Sequence, residues 1–485
     1  MSPDALPYKT PSPREFLLFA ILAIGAGTVT GVAVSFGPLA AAAIGLAVIA
    51  LAMGAMSLSS PWIGLVALVA ITYLRLSDVL VHYHHAPSIA KPLVALLLGL
   101  VIARWVLYGE EPRGWALPVS LVIAYTVVIL LSLFFAANFS TAVGAASDFI
   151  KDGIIAVLVV MLLQHTEDFY RAIWALLFVG IFLGTLSVYQ YLTGDFGNNF
   201  WGFAQAPILN IVGQTNQPRL AGPIGDPNFY AQIMVTLVPL ALNRVFAERR
   251  TLWRLLALWA LAATSLTVIF TFSRGNFLAM MVALGAMALY YRPSVPQIAV
   301  VGFVLVMLLP FVPPEYTARL STLTDFLPGQ GDVRNEVSFR GRTSEWIVAR
   351  MMFLDHPLLG VGLRNYPEHY LDYSSRLGLD PRRENREPHS FYLEIAAETG
   401  IAGILVFLAI FYNLYRSIRM AQQRYTQADA REHADLAASF GFALIGYLTA
   451  ATFIHAAFPR YFWLLTGLGL SLLQTSEHFL ETRDA

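Results

Sequence analysis

The chain has 485 residues, of which 57% are hydrophobic and only 13% are charged. Soluble domains carry about 25% charged residues, so an ordinary water-soluble protein is excluded. The 31 basic residues are balanced by 31 acidic ones and form no basic run, which excludes a nucleic-acid-binding protein, and the lack of cysteine excludes a disulfide scaffold and thiolate metal sites. The class that remains is a polytopic membrane protein.

Apolar segments recur along the whole chain at the length that a membrane-crossing helix needs. The hydrocarbon core of a bilayer takes roughly 20 apolar residues as helix. Fourteen candidate spans lie near 16–34, 38–56, 61–74, 92–108, 116–136, 149–164, 170–192, 229–246, 253–272, 276–291, 297–312, 400–416, 437–458 and 461–475. Some are short, and the weakest, 61–74, runs directly into Arg75 and Asp78. We therefore predict an all-α polytopic membrane protein with about 12–14 transmembrane helices.

The distribution of arginine and lysine predicts the orientation of these spans. If the N-terminus is cytoplasmic, alternation of the spans places the basic clusters inside, as the positive-inside rule requires. These clusters are Lys9 with Arg14, Arg113, Arg171, Arg244 to Arg254, Arg292, Arg416 to Arg431 and Arg483. We predict cytoplasmic N- and C-termini and no cleavable signal peptide, because the first 14 residues are polar and rich in proline.

Two long polar segments then fall on the outer side, and they divide the chain. The first is 194–228, and the second, 313–399, is the longest polar segment of the sequence. Helical patterns at 343–354 and 390–397 favour a small folded cap for the second segment. The predicted units are N-terminal transmembrane helices (1–192), helices with a first arginine-bearing loop (193–312), a large periplasmic loop (313–399) and C-terminal transmembrane helices (400–485).

The first candidate site group lies just before the span at 229–246. Arg219 would sit at the outer boundary between membrane and water, followed by Asp226 and Asn228. Proline and glycine between them suit a bent backbone at a helix start. The alternative for Asp226 and Asn228 is a helix N-cap, and for Arg219 an ordinary turn residue.

The second group is the tight hairpin between two spans, with Arg274 between Ser273 and Gly275. A charge flanked by apolar helices is costly unless it pairs or faces water. A guanidinium there could grip a phosphate bidentately, assisted by the N-terminus of the next helix. The alternative is an arginine that extends towards the lipid headgroups.

The third group lies in the long outer segment, where Arg340 and Arg342 flank Gly341 and Trp346 follows on the same helical face as Arg342. These arginines are candidate anion contacts. The alternative is that both are simply solvated.

The fourth group contains His356, at the start of His-Pro-Leu-Leu-Gly-Val-Gly, and His389, which opens an apolar helix. Glu394 and Glu398 lie on nearby turns of that helix. Neutral imidazole is the side chain best suited to accept a proton near pH 7, so His389 is a candidate general base. The alternative is a structural histidine.

No pattern in the sequence indicates a metal or a nucleotide. Glycine-rich phosphate loops and Asp-x-Asp pairs on outer loops are absent from the sequence, and His82, His84 and His85 lack acidic partners at ligand spacing. We expect neither metal nor cofactor. Lys151 and Asp152, at the outer end of a span, are expected to neutralise one another.

Together these motifs resemble the O-antigen ligase and O-antigen polymerase superfamily, over roughly residues 200–410. The ligase signature is a histidine, then Asn, Ser or Gln, nine residues, and Gly-x-x-Gly. His389-Ser390 with Gly400 and Gly403 fits it fully. The other motifs that carry the resemblance are Ser273-Arg274-Gly275, Gly341-Arg342 with Trp346, and the run from His356 to Gly362.

The superfamily also carries an Arg-x-x-x-Leu element ahead of the histidine. Arg274 with Leu278 fits its spacing, whereas Arg342 has Trp346 in place of leucine, and Arg340 is a third candidate. Which arginine plays that part stays open.

The resemblance implies an all-helical glycosyltransferase of the C type, with a helical periplasmic loop over a cavity at membrane level in the bacterial inner membrane. It implies a metal-independent, inverting transfer of a glycan from undecaprenyl diphosphate to a lipid A–core sugar. His389 would be the base, and Arg219, Arg274 and Arg342 would clamp the diphosphate, with Arg340, His356, Asn228 and Asp226 as further substrate contacts.

Two alternative functions stay open. A polymerase of the same superfamily would extend a lipid-linked glycan, and the histidine signature with the long late segment favours the ligase. A transporter for the lipid-linked glycan would carry charges near the middle of the membrane, whereas these charges cluster at the outer boundary.

Overall fold

A computed structural model of the chain describes residues 60–209, 217–292, 337–379, 385–455 and 459–484, with a few isolated positions between them. Throughout these ranges the chain is almost entirely α-helical. Two-residue strands, β1 (Ile208–Leu209) and β2 (Gln217–Pro218), form an antiparallel pair, and an isolated bridge joins Gln205 to Gly222. The predicted spans at 16–34 and 38–56, and nearly all of 297–312, lie outside the described residues.

Fourteen α-helices are described. They are α1 (Pro61–Leu74), α2 (Leu76–His84), α3 (Ala90–Tyr108), α4 (Ala116–Ser132), α5 (Phe139–Leu162), α6 (Thr166–Thr193), α7 (Pro227–Ala247), α8 (Thr251–Phe270), α9 (Arg274–Tyr291), α10 (Val337–Asp355), α11 (Tyr366–Arg376), α12 (Phe391–Gln427), α13 (Arg431–Ala450) and α14 (Pro459–Asp484). Short 3-10 turns follow α4 (Leu133–Phe135) and α13 (Ala451–Phe453) and precede β1 (Phe200–Gly202).

Seven of these helices are long and apolar enough to cross a membrane, or eight if α1 and α2, which are bent by 52° at Arg75, form one span. The seven are α3, α4, α6, α7, α8, α12 and α13, two of them with the 3-10 turn that follows. Helices α5, α9 and α14 cover three more predicted spans but are not in this set. The all-α polytopic membrane fold is confirmed, and the count of 12–14 spans stays a prediction.

Helix α7 lies at the centre of the bundle. It packs against α6, α8, α9 and α13, while α14 packs against α5 and α12. Because nearly every side chain of α7 is apolar or small, it can be buried on all sides. The side chains of these helices merge into one hydrophobic core, so the loops at each bundle end are held in fixed positions.

The charges in the middle of α5 are paired differently from our expectation. Lys151 Nζ contacts Asp148 at 2.9 Å, so the predicted pairing of Lys151 with Asp152 is wrong. Asp152 instead lies 3.3 Å from Arg460 Nε, and the same guanidinium reaches Asp78 at 3.2 Å. Lys151 is on the exposed face of α5 and Asp152 on its buried face, so only Asp152 needs a partner from another helix.

The late polar segment (313–399) folds in its described part as predicted. The helix expected at 343–354 lies within α10, and α10 and α11 share a core of their own with Val361 and Ala397. The helix expected at 390–397 begins at Phe391 and continues into the membrane as α12. The backbone N–H of Asn138, at the start of α5, donates to Asn365 Oδ1 at 2.7 Å and ties the segment to the bundle.

Helix α12 is broken at Gly400, whose φ of 63° and ψ of −158° are not helical. The run from His356 to Gly362 passes across this break. The N–H of Val361 donates to the carbonyl of Ala397 at 2.9 Å, and the N–H of Ile401 donates to the carbonyl of Pro357 at 2.8 Å. Irregular backbone at membrane depth is tolerated where other protein groups satisfy it. We call this arrangement the Gly400 crossing.

Glycine is required on both chains of the Gly400 crossing. A Cβ on Gly360 would lie 2.2 Å from the carbonyl carbon of Glu398, and a Cβ on Gly400 would lie 2.5 Å from that of Leu358. Both glycines also have a positive φ, which side chains disfavour. Two motifs of the family resemblance therefore pack against each other at the Gly400 crossing. They are the His-Pro-Leu-Leu-Gly-Val-Gly run and the first glycine of Gly-x-x-Gly.

Candidate active site

The N-termini of α7 and α9 converge in a polar cluster at the end of the bundle that carries the late polar segment. Arg219, only 6% exposed, donates from Nε to the carbonyl of Thr271 at 2.7 Å and from Nη2 to Asn228 Oδ1 at 3.3 Å. Ser273 Oγ also donates to Asn228 Oδ1, at 3.0 Å, and Asn276 Nδ2 donates to the carbonyl of Asn228 at 2.9 Å. We call Arg219, Asn228, Thr271, Ser273 and Asn276 the arginine cluster.

The remaining residue of the first predicted group has a structural task. Asp226 caps α7, accepting at Oδ1 from the N–H groups of Asn228 (2.7 Å) and Phe229 (3.2 Å). This is the N-cap alternative considered above. Asn228 and Arg219, the other two members of this group, are hydrogen-bond partners of each other.

The other predicted cations lie on two different helices. Arg274 is the first residue of α9, half-buried, beside the arginine cluster. Arg342 is half-buried in the first part of α10, and Arg340 belongs to the same helix, although its side chain lies outside the described residues. His356 is exposed at the end of α10, and no described contact connects its side chain to His389.

His389 is held at the start of α12 with a defined ring orientation. Its backbone φ is 40°, in the left-handed region that few residues with a side chain adopt. Nδ1 lies 3.0 Å from the carbonyl oxygen of Glu387 and 2.9 Å from Glu345 Oε2. Because the carbonyl of Glu387 can only accept a hydrogen bond, the proton of the neutral ring belongs on Nδ1, which leaves a lone pair on Nε2.

Glu345 is the functional candidate that the sequence analysis missed. It is fully buried on α10, and its Oε1 lies 3.1 Å from Arg386 Nη1 while its Oε2 faces His389. A buried carboxylate beside imidazole stabilises the imidazolium that forms when the ring takes a proton. The sequence signal that could have identified Glu345 is its position three residues after Arg342, inside the helix predicted at 343–354. Burial raises the pKa of the neighbouring Glu387.

His455 connects the histidine to the arginine cluster. Its ring lies 5.6 Å from that of His389 and 5.1 Å from that of Phe229, the residue after Asn228. The N–H of Phe391 donates to the carbonyl of Ile454 at 2.8 Å, which fixes this loop against the start of α12. The sequence analysis placed position 455 inside a span, where an ionisable residue is itself a functional signal.

The environment keeps His455 neutral. Burial, with the nearby charges of His389 and Arg364, lowers its pKa to about 3. Its Nδ1 has no hydrogen-bond partner among the described residues. Near pH 7 the candidate site therefore holds a second, uncharged imidazole beside the candidate base.

The arrangement suits transfer chemistry on an anionic substrate. It combines a histidine with one accessible lone pair, a buried carboxylate behind it, and arginines at two converging helix N-termini, where backbone dipoles favour anions. Among the described residues, no group of three or more His, Asp and Glu side chains could hold a metal ion.

A large cavity lies at the opposite end of the bundle. It measures about 1140 Å³ and is lined by the start of α6, the turn between α12 and α13, and the end of α14. None of the predicted site residues lines it.

The fold and the site define a multi-pass membrane protein with a histidine–arginine site at one end of the bundle. A family model for O-antigen ligases matches residues 257–408, from α8 to the first half of α12. This match confirms the resemblance of the chain to the O-antigen ligase superfamily, and it covers Arg274, Arg340, Arg342, His356 and His389. No curated protein matches the chain.

Proposed function

We propose that this protein is a ligase that moves a glycan from undecaprenyl diphosphate to a sugar hydroxyl of the lipid A–core, without a metal and with inversion at the anomeric carbon. The observation that carries the proposal is the orientation of His389 by Glu345 and the Glu387 carbonyl, beside the arginine cluster. The family match at 257–408 supports the general class of O-antigen ligases and polymerases.

In the proposed reaction the acceptor oxygen attacks the anomeric carbon of the donor sugar. Its proton passes to Nε2 of His389, the new C–O bond forms, and the bond from the anomeric carbon to the phosphate oxygen breaks. The leaving group is undecaprenyl diphosphate, which gains one negative charge in this step. Glu345 stabilises the imidazolium as it forms.

The arginines have the complementary task of stabilising the leaving diphosphate. Guanidinium groups bind phosphate oxygens bidentately, and preorganised cations act strongly where charge develops. Arg274 begins a helix, so backbone N–H groups and its side chain can act on the same anion. Arg219 is committed by two bonds within the arginine cluster, which supports a role in holding the helix N-termini together. Arg342 is the proposed third contact.

The proposed setting is the bacterial inner membrane, with the site facing the periplasm and both termini in the cytoplasm. The polymerase alternative differs only in the acceptor, which would be a growing lipid-linked glycan. The four-unit division of the chain at 192, 312 and 399 is part of the same proposal.

The test is glycan transfer by purified protein with undecaprenyl-diphosphate glycan, with chelator present. Product on lipid A–core is the expected result. Longer lipid-linked chains with no product on lipid A–core would move the function to the polymerase and leave the site intact. Movement of the donor across vesicle membranes with neither product would favour the transporter.

Glu345→Gln is expected to reduce kcat for transfer roughly 100-fold, because the imidazolium loses its counter-ion. Thermal unfolding of the variant in detergent would separate this loss of rate from a folding defect. Asp372→Asn on α11, a surface carboxylate paired with Arg376, is the matched control. An unchanged rate for Glu345→Gln would remove Glu345 from the mechanism.

Arg274→Ala is expected to abolish measurable transfer, and Arg274→Lys to retain only a few per cent of it, because lysine lacks the fork geometry of the guanidinium. The measurement is initial rate at saturating donor, alongside membrane insertion. Arg292→Lys, at the opposite end of the same helix, should transfer normally. Full activity of Arg274→Lys would show that only a positive charge is needed there.

A further inference from the structure

A second cavity lies beside the candidate active site, separate from the arginine cluster. It measures about 300 Å³ and lies between α4, α5, α12 and α14, beneath Leu363 and Arg364 of the late polar segment. This volume is at the lower end of small-molecule sites, which span roughly 300–1,000 Å³. It suits a compact ligand.

Aromatic rings form much of the wall of this cavity. They are Tyr125, Phe149, Phe391, Phe407, Phe462 and Trp463. The rings are held against each other edge to face, with centroids 4.9 Å apart for Tyr125 with Phe149 and for Tyr125 with Phe407. Packed in this way, the rings present a rigid apolar surface to a ligand.

The polar part of the wall is acidic. Glu394 is buried on α12, and Asp148 is exposed at the mouth. Glu398 is fixed by the N–H groups of Arg364 (2.8 Å) and Tyr366 (3.2 Å). Three carboxyl groups and one arginine therefore supply most of the charge of the wall, and Lys151 pairs with one of these carboxyl groups, Asp148. Carboxylate oxygens accept hydrogen bonds from hydroxyl groups, which are abundant on a neutral sugar.

The cavity is close to the candidate base. Phe391 is two residues after His389, and Phe391 and Phe462 also line the small pocket that contains Phe229 and His455. One wall therefore separates the acidic aromatic cavity from the histidine site. Donor and acceptor would occupy opposite sides of the start of α12, with the anion on the arginine side.

We propose that this cavity binds a neutral sugar ring of the acceptor glycan next to the ring that reacts. The proposal rests on the proposed transfer function for the identity of its ligand. The aromatic wall would contact the apolar face of the ring, and the carboxylates would accept from its hydroxyl groups.

Gly144 offers a direct test, because it lines the cavity and no described atom lies within 4 Å of a Cβ built on it. Gly144→Phe would fill the cavity without a backbone clash. Gly285→Phe on α9, another helical glycine with open space at its Cβ, is the matched control. Binding of delipidated core oligosaccharide to detergent-solubilised full-length protein would be measured by calorimetry without donor.

We expect Gly144→Phe to weaken this binding at least tenfold and Gly285→Phe to leave it unchanged. Glu394→Gln, which preserves shape, should weaken it several-fold, and it keeps the test valid if Gly144→Phe folds poorly. Equal binding by wild type, Gly144→Phe and Glu394→Gln, or no binding by wild type, would overturn the proposal. If binding depends on the cavity but no transfer product forms, the proposed ligase function would be wrong and the sugar-binding proposal would stand.

Discussion

His389→Ala is expected to abolish glycan transfer while the protein still inserts and folds. The ring is the only described imidazole that combines a buried carboxylate behind Nδ1 with a lone pair on Nε2. Loss of a positioned base costs roughly 10²–10⁴ in rate, which would bring transfer below detection in most assays. Purified wild type and variant would be compared in one assay, with undecaprenyl-diphosphate glycan, lipid A–core and chelator.

His82→Ala provides the control, since His82 is an exposed histidine on α2. Thermal unfolding of the two variants in detergent would exclude a folding defect as the cause. Near-normal transfer by His389→Ala, at unchanged protein level, would sink the catalytic assignment of this residue. Loss of transfer by both variants would show that the assay reports stability.

Gly400→Ala is expected to lower the free energy of unfolding by about 3 kcal/mol or more, through backbone strain and steric overlap together. Its φ of 63° and ψ of −158° lie in a region that only glycine adopts readily. The new Cβ would also meet the backbone of Leu358 at 2.5 Å. The measurement is the thermal midpoint and the yield of monodisperse protein.

Gly285→Ala, in an open helical position, should be neutral or slightly stabilising, because alanine favours helix. An unchanged midpoint for Gly400→Ala would mean that the crossing can relax, and the glycine would then need another explanation. Loss of transfer with an unchanged midpoint would point to a direct role of the crossing in the reaction.

The positions of the membrane-length helices could be predicted from the sequence because each is an apolar run of about bilayer length. Predicted and observed bounds agree within a few residues for α1, α3, α7 and α8. Helix α5 begins about ten residues before the predicted span, because Asn138 caps a polar first turn by accepting from the N–H of Thr141. Such a turn carries no apolar signal.

The candidate site could be predicted only in part. Motifs identified His389, Arg219 and Arg274 because an unusual polar residue at the end of an apolar span can be recognised from the sequence alone. Glu345 and His455 were missed because their role depends on a contact with His389 across 44 and 66 positions of the chain. Pairing of charges between helices, such as Asp152 with Arg460, is hidden for the same reason.

The Gly400 crossing also determines which pieces of chain can be exchanged between related proteins. Four backbone hydrogen bonds join α12 to the 356–362 run there, so each segment depends on the other to satisfy these backbone groups. A graft of residues 337–379 alone would place the 356–362 run of one protein against the broken α12 helix of another. The smallest interchangeable cassette therefore extends from α10 through Gly403, and swaps that keep this unit whole should preserve assembly of the protein in the membrane.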